Sequence, residues 1–319
     1  MIVKLGFTDK IVLGLAASFF LLLQPLSGAS SNALVPSFSP VKLVDDRGVE
    51  FTRLKPSTRV VSLAPHLTEI AFAAGAGAEM VGVSQFSDYP VEATHLPHIG
   101  DGTRVDIERI LQLKPDLVLA WDSGNQKADI ARLEAAGIAV WVSKSSHLND
   151  ISRNLRLVGL LTGHPDRAEK AALEFEQQID AIRQSVHIRR AGRPRVRIFY
   201  EIWHQPLLTV NASHLISEVM DLCGGQNVLG HLLALTPGVS LESVLMARPQ
   251  VILGSGAGLG RADFERSWHP SPVSAIDALP VYYIDPDTIE RPSPRVIQGI
   301  KAICQALARF DAQNSTRAP

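Results

Sequence analysis

Two stretches of this chain, 134 positions apart, carry the same order of residue types. VDIERILQLKPDLVLAW (residues 105–121) and SLESVLMARPQVILGS (residues 240–255) each begin with a helix-capping residue, Asp106 or Ser240, followed two positions later by an acid. Each then passes through an amphipathic turn or two to a basic residue and a proline, and ends in an apolar run. Because the offset (240 − 106 = 134) is constant over the match, the pattern predicts one fold that occurs twice in the chain.

The segments around these stretches repeat their order as well. RVVSLAP (59–65) and RVRIFYEIW (195–203) predict the first strand of each half, and alignment of Arg59 with Arg195 gives an offset of 136. Strand patterns alternate with helical ones, which is typical of α/β architecture with a mostly parallel sheet. We therefore expect two similar lobes, each a mostly parallel sheet flanked by helices, with a ligand cleft between them. A solenoid would repeat every 20–50 residues or so.

Apolar spacing between the two halves predicts one long linking helix. After a break at Gly163 and Pro165, apolar residues recur at intervals of three and four: Ala168, Ala172, Phe175, Ile179, Ile182 and Val186. This spacing predicts an amphipathic helix of about 20 residues, or roughly 30 Å. A continuous hydrogen-bonded helix resists bending, so it would join the lobes rigidly and limit their hinge motion.

The N-terminus has the pattern of a secretory signal peptide. Lys4 and Lys10 precede the apolar run IVLGLAASFFLLL, and the small residue Ala29 follows, which predicts cleavage there and export to the periplasm. A membrane anchor is the alternative, but the run is shorter than the ~20 residues of a span. The predicted organisation is a signal peptide (1–29), an N-terminal lobe (30–148), an inter-lobe helical segment (149–190), a C-terminal lobe (191–311) and a disordered tail (312–319).

Composition and motifs favour a binding protein over an enzyme. The net charge of −1 gives no support for a nucleic-acid partner. The glycines of GSGAGLG (254–260) lack the spacing of a dinucleotide or phosphate loop, and neither G-x-S-x-G nor H-E-x-x-H occurs. The histidines lack metal-ligand spacing. We therefore expect no catalysis, no cofactor and no bound metal, with a ligand site in the cleft between the lobes.

The chain contains two cysteines, Cys223 and Cys304. In an exported protein such a pair is first interpreted as a disulfide. Closing a loop of that length would stabilise the fold by about 4 kcal/mol in the chain-entropy model. Two buried thiols are the alternative.

Several motifs resemble the cobalamin-binding members of the helix-linked (class III) family of periplasmic substrate-binding proteins. They are SDYP (87–90), DIERI (106–110), KPDLVLAW (114–121), LCGGQNV (222–228), SLESVLMARPQ (240–250) and ERPSPR (290–295), and the resemblance runs from about residue 40 to residue 310. It implies a protein of an ABC importer that captures cobalamin, or a related corrinoid, and delivers it to a membrane permease with its ATPase.

The resemblance also implies roles for particular residues. Tyr89 and Trp121 match aromatic residues of the ligand cleft. The DTIER loop matches one whose acid and arginine hydrogen-bond the amide rim of the ligand; its residues are Asp287, Thr288, Ile289, Glu290 and Arg291. Cys223 and Cys304 match the family's disulfide. Glu108 and Glu242 match one acid per lobe that meets arginines of the permease, although an acid in the first turn of a helix also stabilises that helix by about 0.3–1 kcal/mol.

The chain departs from the cobalamin binders at three positions where they often carry tryptophan: here Gly102, Thr236 and Thr288 stand there. His66 and His204 both follow the first strand of their lobes, either as exposed loop residues or as axial ligands to cobalt or haem iron. A haem- or iron–siderophore-binding protein of the same fold is therefore the second hypothesis. A periplasmic enzyme using the cleft acids and histidines is the third.

Overall fold

The computed structural model describes residues 40–101, 104–256, 258–269 and 274–315. The predicted signal peptide and Gly102 lie outside these residues, as does the end of the predicted tail. Within the described ranges, none of the helices is both long and apolar enough to span a bilayer.

The N-terminal lobe is a parallel sheet with a hairpin packed beside it. The hairpin comprises β1 (Val41–Val44) and β2 (Glu50–Arg53), and the sheet comprises β3 (Val60–Ser62), β4 (Met80–Val83), β5 (Leu117–Trp121) and β6 (Val140–Ser143) in the order β4-β3-β5-β6. Its helices are α1 (Pro65–Ala73), α2 (Ile107–Leu113) and α3 (Lys127–Ala135). The strands read as apolar runs because both sheet faces are covered.

Two helices connect the lobes, and both contribute to both hydrophobic cores. They are α4 (Leu148–Thr162) and α5 (Pro165–Arg190), which is 26 residues long, or about 39 Å. Leu155 and Ala168 belong to the core of the N-terminal lobe, whereas Ile151 and Ile179 belong to that of the C-terminal lobe. The predicted linking helix is thus α5, longer than expected and paired with α4.

The C-terminal lobe repeats the sheet of the first. It comprises β7 (Val196–Glu201), β8 (Gly225–Asn227), β9 (Val251–Gly254) and β10 (Val281–Tyr283) in the order β10-β9-β7-β8, with α6 (Leu215–Leu222), α7 (Leu241–Met246), α8 (Arg261–Trp268), α9 (Ser274–Asp277), α10 (Pro286–Ile289) and α11 (Val296–Ser315). In both lobes the first strand lies between the second and the third. The predicted duplication of a parallel α/β unit is confirmed. Helix α11 continues past the predicted boundary at residue 311.

The repeat extends to the hydrogen bonds that start the equivalent helices. The Asp106 carboxylate accepts from the backbone N–H of Arg109, and the Ser240 hydroxyl accepts from that of Ser243. Each bond satisfies one amide that the first turn leaves unpaired.

Both helices also end alike. Lys114 and Arg248, which precede the prolines, are left-handed with φ of 48° and 47°. The turn directs equivalent carbonyls toward an arginine at the start of the first strand region: Arg59 donates to the carbonyl of Lys114 at 3.2 Å, and Arg197 donates to that of Arg248 at 3.0 Å.

These contacts correct the predicted alignment of the first strands. Val60 pairs with Leu117, and Ile198 pairs with Val251, so the offset is 198 − 60 = 138 rather than 136. Arg197, and not Arg195, is the equivalent of Arg59. In RVRIFYE an arginine precedes an apolar residue at Arg195-Val196 and again at Arg197-Ile198. A shift of the alignment by two residues keeps each side chain on the same face of the sheet, so the sequence pattern fits both alignments.

The predicted disulfide is confirmed: Cys223 at the end of α6 is bonded to Cys304 on α11. It joins two helices that pack in the core of the C-terminal lobe, where both cysteines are buried.

We expect the bridge to be complete in the exported protein. Thiol counting on denatured, unreduced material should find no free thiol, and reduction should lower the thermal midpoint because about 4 kcal/mol of chain-entropy stabilisation is lost. Two free thiols before reduction would contradict the assignment.

Candidate functional site

A cavity of about 320 Å³ lies between the lobes. It is lined by Trp121, Ser123, Ser145 and Ser146 from the N-terminal side and by Ile202, Ser213, His214, Leu215, Leu235, Thr236, Ile289, Glu290 and Pro292 from the C-terminal side. Five of them, Trp121, Ser123, Ser145, Ser146 and Ile202, end or closely follow strands, and the carboxyl edge of a parallel sheet is where α/β proteins bind ligands.

Trp121 forms the aromatic wall of the N-terminal side. It is the last residue of β5, and its backbone N–H donates to the side chain of Asn125 at 2.7 Å, which in turn donates to the carbonyl of Leu63 at 3.1 Å. Gly124 lies against the ring, since a Cβ there would come within 1.9 Å of it. The indole is therefore held in place by the turn that follows its own strand.

His66 packs behind this wall rather than in an exposed loop. It is 3% exposed, and its ring meets the Trp121 ring edge-on with centroids 5.1 Å apart. Burial, together with the nearby charge of Arg291, lowers its pKa to about 3, so the imidazole is neutral, and its Nε2 is buried without a hydrogen-bond partner.

His204, the equivalent residue of the other lobe, contacts a different group. Its Nδ1 lies 3.2 Å from Oε1 of Glu201, a fully buried carboxyl that also accepts from the Trp268 indole at 2.6 Å. Neither histidine lines the cavity. Among the described residues, no three His, Cys, Asp or Glu side chains are arranged to hold a metal ion.

Glu290 is the acidic residue that lines the cavity. Burial raises the pKa of its carboxyl to about 7; the charge of Asp287 adds to the rise, and a hydrogen bond from the Ser255 hydroxyl opposes it. His214 stands nearby, where burial lowers its pKa to about 4. The cavity therefore presents hydroxyls, a neutral imidazole and a carboxyl that is protonated over much of the range below neutral pH.

An ionic cluster of the two lobes lies beside the cavity. Arg291 pairs with Asp88, with Asp287 at 2.6 Å and with Glu69 at 3.4 Å. Arg295 pairs with Glu69 at 2.5 Å, and its guanidinium lies 4.5 Å from the centre of the Tyr89 ring.

The predicted ligand residues thus divide into two groups. Trp121, Ile289 and Glu290 line the cavity, whereas Tyr89, Asp287 and Arg291 belong to the ionic cluster next to it. Thr288 is buried, and its hydroxyl donates to the carbonyl of Asp285 at 2.9 Å.

Sequence reasoning missed the serines of the cavity and Glu69. Ser145 and Ser146 follow the end of β6, and Ser123 follows β5, so their position after predicted strands was a usable signal. Cobalamin binders often carry tryptophan at three positions that are Gly102, Thr236 and Thr288 in this chain. Of these, Thr236 lines the cavity, and Gly102 lies outside the described residues.

The two acids predicted to meet a permease occupy equivalent surface positions. Glu108 and Glu242 both lie in the first turn of their helices and are exposed. The Ser240 hydroxyl lowers the pKa of Glu242, which is ionised at neutral pH.

Comparison with known proteins places this architecture in a family. Residues 60–288 match the family described as periplasmic binding protein. The chain is 35% identical to the vitamin B12-binding protein of Vibrio cholerae serotype O1 over 252 residues, which cover 79% of this chain and 90% of that protein.

Solved structures agree with the sequence match. The crystal structure of the periplasmic vitamin B12 binding protein BtuF of Vibrio cholerae superposes with a TM-score of 0.71 at 35% identity, covering 79% of this chain and 97% of that one. The periplasmic heme-binding protein RhuT of Roseiflexus sp. RS-1 gives a TM-score of 0.67 at 25% identity, covering 78% and 97%. The chain therefore belongs to the periplasmic binding protein family.

Proposed function

We propose that this chain is the substrate-binding protein of an ABC importer, which captures cobalamin or a related corrinoid between its lobes and delivers it to the permease. It acts in the periplasm by binding alone and performs no chemistry on its ligand. The relatives named for vitamin B12 support the ligand class.

The lack of cations in the cavity lining is the observation that carries the choice of ligand. Its polar groups are the hydroxyls of four serines and Thr236, the neutral imidazole of His214 and the Glu290 carboxyl, and none of the described residues that line it is a lysine or an arginine. Cobalamin carries neutral amides around its corrin rim, and such groups hydrogen-bond to hydroxyls without burying a charge.

Haem carries two carboxylates, and they would meet no cation among the described residues that line this cavity. Arg291, which lies between the lining residues Glu290 and Pro292 in the chain, is already engaged by three carboxylates. Haem is the second candidate on one observation: the buried Nε2 of His66 has no hydrogen-bond partner, and a neutral imidazole nitrogen can bind iron. Binding there would require Trp121 to move, because His66 lies behind that ring and does not line the cavity.

Calorimetric titration with cyanocobalamin tests the proposal directly. We expect saturable binding of one equivalent, and much weaker binding of haemin measured by its visible absorption. Tight haemin binding that is lost in His66→Ala, with no heat from cyanocobalamin, would replace the proposal with the haem hypothesis.

Glu290 should make cobalamin binding dependent on pH. Its pKa of about 7 means that it is protonated, and able to donate to an amide oxygen, below pH 7, whereas above pH 7 it becomes an anion that cannot donate. We expect affinity to fall by roughly tenfold between pH 7 and pH 8.5. Glu290→Gln keeps the donor without the titration, so its affinity should stay level; an equal fall in both proteins would contradict this role.

Glu108 and Glu242 should matter for delivery and not for capture. The variant Glu108→Ala/Glu242→Ala should bind cyanocobalamin as the wild type does but should abolish the uptake that the protein stimulates in vesicles containing the permease complex, since complementary charges set orientation and encounter rate.

Asp166 and Asp263 provide the matched control for this experiment. Both are exposed acids in the first turn of other helices. Asp166→Ala/Asp263→Ala should leave uptake intact. Uptake that survives the loss of Glu108 and Glu242 would reduce these two acids to helix stabilisers.

A further inference from the structure

Glu69 is a buried acid of the N-terminal lobe whose side-chain partners all lie in the C-terminal lobe. It projects from α1, and its side chain is 2% exposed. Its Oε2 accepts from the Ser293 hydroxyl at 2.5 Å and from Nε of Arg295 at 3.2 Å, while Oε1 accepts from Arg295 at 2.5 Å and from Arg291 at 3.4 Å. Among the described residues of its own lobe, none has a side chain that pairs with this carboxyl.

The segment that Glu69 holds is also a wall of the cavity. Segment 289–295 begins at the last residue of α10, and Ile289, Glu290 and Pro292 line the cavity. The residues between and after them, Arg291, Ser293 and Arg295, contact Glu69. One face of this short segment thus lines the cavity, and the other contacts Glu69 of the opposite lobe.

Because Glu69 is buried, its carboxylate depends on these partners for stability. A buried carboxylate is tolerated only when it is paired and hydrogen-bonded, and removal of one partner leaves an uncompensated charge. Separation of the lobes at this point would remove the donors Arg291, Ser293 and Arg295 from Glu69 at once, so the contact resists opening more than an exposed ion pair would.

Two further contacts reinforce the same junction. Asp88 pairs with Arg291, and the Tyr89 ring stacks against the guanidinium of Arg295. With Asp287, three carboxylates surround two guanidiniums, so both arginines serve the junction between the lobes.

We propose that Glu69 is a positioning residue that fixes segment 289–295 as a cavity wall and sets the separation of the two lobes. Its effect on ligand affinity rests on the proposed function; its effect on lobe separation does not. Because Ile289, Glu290 and Pro292 of this segment line the cavity, loss of the Glu69 contacts would displace that wall as well as loosen the junction between the lobes.

The separation of the lobes can be measured without any ligand. Spin labels at Ala131→Cys on α3 and Ala262→Cys on α8, both exposed alanines of different lobes, report the inter-lobe distance by pulsed electron resonance. Glu69→Gln should lengthen and broaden the distribution. Glu79→Gln is the matched control, because Glu79 is a largely buried acid that pairs with His164 and with no described residue of the C-terminal lobe. Identical distributions for Glu69→Gln and the wild type would overturn the proposal.

Cyanocobalamin titration of the same proteins tests the role in binding. We expect Glu69→Gln to lose about tenfold or more in affinity, as for loss of hydrogen bonds to a charged group, and Glu79→Gln to keep it. A wild type that binds no cobalamin would refute the proposed function while the distances still decide the role of Glu69. Ser293→Ala removes one donor and leaves the ion pairs. Ser293→Ala should change the inter-lobe distance and the cobalamin affinity in the same direction as Glu69→Gln, but by a smaller amount. It serves as the test if Glu69→Gln does not fold.

Discussion

The embedding of α5 in two separate cores is the constraint on which the arrangement of the lobes depends. Its first turns are buried against the N-terminal lobe and its later turns against the C-terminal lobe. Arg156 of α4 binds Glu169 and Glu176 of α5, which ties the two connecting helices together. Neither end of α5 can leave its core without exposing apolar surface, so motion between the lobes is confined to small changes. Contacts across the cleft then determine where within this small range the lobes settle.

The charged side chains of this cleft lie where each has an oppositely charged partner, because burial of an unpaired charge is unfavourable. The formal charges gather in the cluster of Glu69, Asp88, Asp287 and the two arginines, where every charge has a partner. The adjoining cavity is left with hydroxyls and with groups that burial drives toward their neutral forms, such as Glu290. A neutral, amide-rich ligand could enter such a cavity without breaking an ion pair, which links the packing of the lobes to the choice of ligand.

The sequence predicted the scaffold better than the site. The two lobes, the linking helix and the disulfide follow from period, spacing and cysteine count, which are local properties. The first-strand alignment was shifted because RVRIFYE offers two equivalent registers. Glu69 could not be identified, because TEIAFA reads as an ordinary helix start and its partners lie more than 220 positions away. Contacts of this kind depend on how the lobes meet, which no local pattern records.

The two lobes remain alike at their helix starts and differ at the cleft, and the physics of each region explains why. A helix needs its first amides satisfied whatever the protein binds, so Asp106 and Ser240 do the same work in both copies. A single ligand, by contrast, presents different groups to the two walls. The duplicated histidines show the result: His66 is buried under Trp121, while His204 pairs with Glu201. The proposed docking of Glu108 and Glu242 on a permease would likewise favour likeness between the lobes, whereas a cavity that holds one asymmetric molecule favours divergence.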